Sequence, residues 1–200
     1  MVHEGLAPCE HRAMTSVPAI VETARLRLRP PQVDDAEAMF TTWARDPEVA
    51  RYLTWRPHAS IEDTRTFLRS AQWAEQEGHR PWIIERREDG RVVGIIGLTF
   101  EAKNAIGGAL APHRASVGYG LGRAFWGQGL MTEALREVIA VTLVQPSMYR
   151  VYAYCDVENL ASARVMEKAG MSFEGVLRRW GVHPNRSSEP RDCLCYAAVR

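Results

Sequence analysis

The stretch from Val117 to Ala134 limits what this chain can fold into more than any other part of it. It runs Val-Gly-Tyr-Gly-Leu-Gly-Arg-Ala-Phe-Trp-Gly-Gln-Gly-Leu-Met-Thr-Glu-Ala, which reads as a strand, a glycine-punctuated turn and an amphipathic helix. Small residues at a helix start expose backbone N–H groups that no carbonyl of that helix can satisfy. With the positive end of the helix dipole, those donors form a site for a phosphate or pyrophosphate. Spacing narrows the ligand. The dinucleotide fingerprint fails, because Gly118, Gly120 and Gly122 stand two apart, so the third glycine comes one residue early. No Gly-Lys-Ser/Thr triplet of the nucleoside-triphosphate loop occurs in the chain. The turn also lies deep in the sequence, whereas a nucleotide fold usually opens with it. Taken alone, a glycine cluster fits turn chemistry as well as ligand binding.

The second half of the signal follows the helix. Tyr149 to Cys155 is rich in β-formers and predicts a strand. Behind it Asn159 is placed to cap a helix that Gly170 would stop. Leu130, Ala134, Val138 and Val141, widened by Met131 and Leu135, keep an apolar stripe through the first helix. The unit is strand, anion turn, helix, strand, helix, and a crossover of that length makes its two strands parallel and right-handed.

Two motifs in this order, Gly-Tyr-x-Leu-Gly-x-x-x-Trp-Gly-Gln-Gly-x-x-Thr-Glu-Ala and Asn-x-x-Ser-x-x-Val-x-Glu-Lys-x-Gly-Met, resemble the GNAT superfamily of N-acetyltransferases. The resemblance is nearer to the branch that acetylates N-terminal amines of ribosomal proteins. It runs from about Thr23 to Arg200, including Thr-x-Arg-Leu-x-Leu-Arg-Pro at 23–30 and Phe173-Glu174-Gly175-x-Leu177-Arg178-Arg179, with Arg191, Asp192 and Tyr196 behind.

The resemblance implies an α/β (α+β) acyl-CoA acyltransferase fold: a mixed, mostly antiparallel sheet of about seven strands with one splayed parallel pair, flanked by about four helices. It implies direct transfer of acetyl from acetyl-CoA to an amine. The pantetheine arm would pair with Tyr119, Gly120 and Leu121, and the pyrophosphate would sit on the amides of Gly127, Gln128, Gly129, Leu130, Met131 and Thr132, beside Trp126. Asn159 would reach the pantetheine amide, Ser162 would protonate the departing thiolate, and Lys168 or Arg164 would reach nucleotide phosphates. The local readings stand beside these: Asn159 as a cap, Ser162 satisfying first-turn backbone, the charged helix residues solvated. The superfamily signature would put Arg or Gln at 126 and Gly or Ala at 131, where this chain has Trp126 and Met131.

The general base is the second departure. Relatives in the nearer branch carry Glu where this chain has Ser116, which cannot take a proton unaided at neutral pH. Glu101 and His113, flanking the preceding loop, are the substitutes. Deprotonating an α-amine of pKa about 7.8 costs about 1 kcal/mol at pH 7, against roughly 4.6 for lysine. A site without a strong base therefore suits a low-pKa amine, with water carrying the proton away.

The chain of 200 residues, 46% apolar and 24% charged, is long enough for one well-buried core. It is expected as one acetyltransferase domain over 21–200 behind an N-terminal extension, 1–20. A net charge of +1 argues against a nucleic-acid partner, and no apolar run has the length of a membrane span. The first twenty residues, broken by Pro8, Glu10, His11 and Arg12, lack a signal-peptide core, so a cytoplasmic location is expected. Cys9, Cys155, Cys193 and Cys195 read as reduced residues. Cys193-x-Cys195 finds no second ligand pair, so no metal is expected. The resemblance also allows a homodimer.

Along the chain, strands are expected at 25–29, 81–86 and 91–100, the last two around the turn Glu88-Asp89-Gly90, and near 173–179 and 192–199. Helices are expected from Asp34 or Asp35 to Ala44 and from Ile61 to Gln76. The acceptor pocket is expected from residues 46–59, the loop near 101–114 and that at 181–190, with Trp55, Trp180 and Tyr196 as candidate walls. Two other classes compete: a noncatalytic acyl-CoA-binding or sensing module of the same fold, favoured by Ser116, and a nucleotide-dependent oxidoreductase, disfavoured by the glycine spacing.

Overall fold

The computed structural model describes residues 17–74, 78–101 and 112–200. Cys9, most of the expected extension and the loop 102–111 therefore lie outside the described residues, as do the last residues expected of the 61–76 helix.

Two short strands open the fold, β1 (Val21–Glu22) and β2 (Leu26–Arg29). The expected helix to Ala44 is composite. A 3-10 turn at Val33–Asp35 leads into α1 (Ala36–Met39), continued by a π-helical stretch, Phe40–Ala44. The buried Asp35 carboxylate anchors its start, taking the Gln32 amide at 2.7 Å and the Arg29 guanidinium at 2.6 Å. An unforeseen helix, α2 (Pro47–Ala50), follows, with Asp46 as its cap and Pro47 in the first turn. α3 (Ile61–Ala74) starts where Ser60 and Asp63 bond each other's amides at 3.3 and 2.9 Å.

β3 (His79–Arg86) and β4 (Val92–Glu101) form the expected hairpin. Gly90 takes φ +68 at its tip, and the Asp89 carboxylate holds the Arg86 side chain. β5 (Arg114–Leu121), a 3-10 turn at Arg123–Phe125, α4 (Leu130–Leu143), β6 (Arg150–Asp156) and α5 (Leu160–Lys168) realise the crossover unit. β7 (Ser172–Gly181) and β8 (Arg191–Val199) close the chain.

Among the described residues the sheet has eight strands in the order β1-β2-β3-β4-β5-β6-β8-β7. Neighbours are antiparallel except β5 and β6. The strand beyond the expected seven is β1, folded back on β2, and the additional helix is α2. The larger core lies between one sheet face and α4 with α5, where Ala134, Leu135, Val138 and Met166 meet Ile96, Ala115 and Val151. The other face carries a smaller core under α1 to α3, around Trp43, Leu68 and Ile83. No helix among the described residues is long and apolar enough to cross a membrane.

Candidate active site

The sheet opens at its parallel pair. β5 and β6 pair only at Arg114 with Arg150, Ala115 with Val151 and Ser116 with Tyr152. Past Ser116, β5 runs to Leu121 paired with β4 alone, and β6 runs to Asp156 paired with β8 alone. The span 117–121 thus offers about 16 Å of unpaired strand edge inside the molecule. Such an edge binds an extended, amide-bearing arm as an added strand would. Its floor is open at Gly118, where an added Cβ would meet nothing within 4 Å.

The glycine turn stands at one mouth of this fork. Gly127 and Gly129 both take φ +74, a conformation that side chains other than hydrogen resist. No side chain caps α4 at Gly129. The Glu133 amide closes the first helical turn onto the Gly129 carbonyl at 3.0 Å. The amides of Leu130, Met131 and Thr132 are those for which a helix has no carbonyl of its own. Met131 turns its side chain into the core, as does Leu130, so the bulk that departs from the signature does not fill the turn. Trp126 is half exposed, its indole N–H donating to the Leu121 carbonyl at 2.7 Å. Gln128 reaches back to the Ala124 carbonyl at 3.0 Å.

The fork's opposite wall is the start of α5. The Asn159 side-chain oxygen accepts the Ser162 amide at 3.3 Å, the cap expected from the sequence. Its Nδ2 makes no hydrogen bond among the described residues. The Ser162 hydroxyl is 2.8 Å from the Tyr119 hydroxyl, so a β5 side chain and an α5 side chain meet across the gap. Burial pushes the Tyr119 phenol far up, with Ser162 pulling it part of the way back, so it stays protonated. Burial likewise pushes the neighbouring Cys155 thiol up to about 12, which leaves it protonated and a poor nucleophile at neutral pH.

At the crotch of the fork sits a group only part of which is legible in the sequence. Ser116 and Glu101 are both there, joined by Tyr152. The Tyr152 hydroxyl donates to Glu101 Oε1, and Arg114 Nε donates to Oε2 at 2.7 Å. Burial, then the Glu101 carboxylate, raise the Tyr152 phenol to about 12, against an opposing hydrogen bond from Ser116. Glu101 therefore has both oxygens engaged. Two register rows from Glu101, His79, Thr99, Ser116 and Tyr152 lie side by side across four strands, with Thr99 Oγ1 2.9 Å from His79 Nδ1. The alternation of Tyr152 and Tyr154 on one face of β6 was the available signal for Tyr152. His113 is exposed at the end of the loop, its carbonyl accepting the Tyr149 amide. Lys168 is exposed in the last turn of α5, the end away from Asn159, where its carbonyl accepts from Arg136.

Two of the variable segments meet over the fork. Asn185 donates to the Ala50 and Trp55 carbonyls at 2.7 Å each, and the Arg186 guanidinium lies over the Tyr52 ring. Trp180 is exposed and meets Tyr154 edge-on at 5.9 Å. Trp55 packs against the smaller core and His58. Tyr196 is buried in the larger core, against Phe173 and hydrogen-bonded to Glu167. Among the described residues no cluster of His, Cys, Asp or Glu is arranged to hold a metal ion.

Known proteins share this architecture. An uncharacterized N-acetyltransferase of Bacillus subtilis, YoaA, is 32% identical over 183 residues, 90% of this chain and 97% of its own. The ribosomal-protein-serine acetyltransferase of Escherichia coli is 27% identical over 121 residues, 60% of this chain and 63% of its own. The solved structure of RimL, a ribosomal L7/L12 α-N-protein acetyltransferase in complex with coenzyme A, superposes with a TM-score of 0.74 at 21% identity. It covers 92% of this chain and 97% of its own, a likeness of fold. The profile of the acetyltransferase (GNAT) domain matches residues 25–172. A forked parallel pair beside an uncapped glycine turn is thus the frame of an acyltransferase, and this chain belongs to the GNAT acetyltransferase family.

Proposed function

We propose that this protein moves the acetyl group of acetyl-CoA directly to a primary amine in the cytoplasm, the acceptor being the α-amine of a protein or peptide N-terminus or a small amine of similar pKa. The observation that carries this reading is the continuity of the fork with the glycine turn. An arm ending in a diphosphate needs both, and here they adjoin. The three described cysteines are free, in keeping with a reducing compartment.

Acetyl-CoA supplies the activated thioester. The amides of Gly127 to Thr132 hold its diphosphate, the edge of Tyr119, Gly120 and Leu121 pairs with its pantetheine, and the Asn159 Nδ2 donates to a pantetheine carbonyl. The amine nitrogen bonds to the thioester carbon as the C–S bond breaks. Ser162, oriented by Tyr119, gives its hydroxyl proton to the sulfur and regains one from water, so that the net change is one proton from the amine and one to the thiolate. The proton lost by the amine leaves through water at the crotch, beside Ser116. Glu101 has both oxygens engaged by Tyr152 and Arg114, which leaves the proton to water and favours acceptors that are already partly neutral. The name of the E. coli relative, a ribosomal-protein-serine acetyltransferase, supports a protein as acceptor. The high pKa of Cys155 favours direct transfer over an acyl-cysteine intermediate.

A panel of amines assayed by liberated thiol tests this. A peptide α-amine should turn over faster than a lysine side chain. Ser162→Ala should lower kcat by about 100-fold with donor binding kept. Faster turnover of lysine, or an unchanged Ser162→Ala, contradicts the assignment.

A further inference from the structure

Glu133 lies in the first turn of α4, where its negative charge competes with any anion for the helix's positive end. The fold disposes of that charge with residues from the far end of the sequence. One Glu133 oxygen accepts the Thr23 hydroxyl at 2.6 Å and the Arg25 amide at 2.9 Å. The other accepts Arg25 Nε at 2.6 Å. The same guanidinium donates from Nη1 to the Gln128 carbonyl at 3.0 Å. Its Nη2 stands 3.7 Å from where a Cβ on Gly129 would be. Arg25 is itself fixed, since its carbonyl accepts the Arg87 amide and Arg87 also donates to the Thr23 carbonyl. One side chain therefore neutralises the acid beside the turn and turns a turn carbonyl away from the exposed amides. With its side chain half exposed, Arg25 also remains a positive charge at the turn.

We infer that Arg25 is a positioning residue for the diphosphate, holding Glu133 neutralised and the Gln128 carbonyl averted so that the glycine turn presents donors alone. This rests on the acetyl-CoA reading above. It makes the effect of Arg25 specific to donors that carry the diphosphate, which a merely structural strut would not be.

Calorimetric titration of coenzyme A and of pantetheine, which lacks the diphosphate, separates the two. Arg25→Ala should weaken coenzyme A by about tenfold and pantetheine by no more than about twofold. Adding Glu133→Gln to Arg25→Ala should recover most of the coenzyme A affinity, because the uncompensated charge is then gone. If Arg25→Ala folds poorly, Arg25→Lys serves: it keeps the charge, loses the fork of donors and should fall between wild type and Arg25→Ala. Equal losses for both ligands, or no recovery with Glu133→Gln, overturn the inference while leaving the reading intact. A wild-type protein that binds pantetheine and coenzyme A equally overturns both.

Discussion

One carboxamide can cap a helix and hold a ligand at once, because its two ends are different groups. At Asn159 the oxygen is spent on the Ser162 amide and the –NH2 is left over. The two readings open from the sequence are therefore compatible, and substitution separates them. Asn159→Asp keeps an N-cap acceptor and adds a charge that the helix start favours, so thermal stability should hold within about 0.5 kcal/mol. The donor is lost, so coenzyme A affinity should fall by about tenfold. Asn159→Ala should lose both, with about 1 kcal/mol of stability. Unchanged coenzyme A affinity in Asn159→Asp would mean that the residue is a cap alone. Tyr119→Phe probes the neighbouring contact: kcat should drop with donor affinity unchanged, since among the described residues the phenol hydroxyl hydrogen-bonds Ser162 alone.

At the scale of elements, the fork depends on β4 and β5 lying close where β5 leaves β6. A Cβ on Gly94 would stand 2.5 Å from the Gly120 carbonyl oxygen and 3.0 Å from a Leu121 methyl. The atom in the way is backbone, so β5 must move. Gly94→Ala should cost about 1–3 kcal/mol in urea unfolding and weaken donor binding; a neutral Gly94→Ala would mean that this edge is not held rigidly.

The elements legible in the sequence are those specified locally. Asn159 and Gly170 bound α5, and the Glu88-Asp89-Gly90 turn pairs β3 with β4. What was not legible depends on distant partners. The additional strand β1 turns back on β2 across Thr23 to Arg25, where Glu133, on α4, ties the chain down. Tyr152 looked like a strand residue until the register put it beside Ser116 and Glu101. Tyr196, as an aromatic in a terminal strand, carried no signal to tell a wall from core.

At the scale of the whole molecule, the α5 end of the fork is tied to the start of β8 by a buried carboxylate. Asp156 is fully buried and takes Arg191 Nε at 2.5 Å and the Glu158 amide at 2.9 Å, while Arg191 also reaches Glu158. Burial pushes the Asp156 carboxyl up, but Arg191 and the Glu158 amide outweigh it and hold it below the usual range. Glu133 is depressed in the same sense, with Thr23 and Arg25 outweighing its burial. A carboxylate lowered on folding stabilises above its unfolded pKa of about 4, and the contribution is lost as pH falls through the folded value. These two carboxylates should therefore leave the urea midpoint unchanged from pH 7 to about 5 and lower it below about 4, beneath a shallower fall that begins near the ordinary histidine pKa of about 6.5, because burial lowers that of His58. Asp156→Asn should flatten the fall below about 4. Arg191→Met, which strands a buried charge, should lower the midpoint more than Arg191→Met with Asp156→Asn. An unchanged acid limb in Asp156→Asn would remove Asp156 from this account.

The central claim is that one continuous surface, the turn at 127–132 and the open edge of β5, receives the acyl donor. A crystal structure grown with coenzyme A tests it most directly. The account predicts the diphosphate on those amides, with the arm running between β5 and β6 towards Ser162. A donor bound elsewhere, with the turn empty, would contradict it.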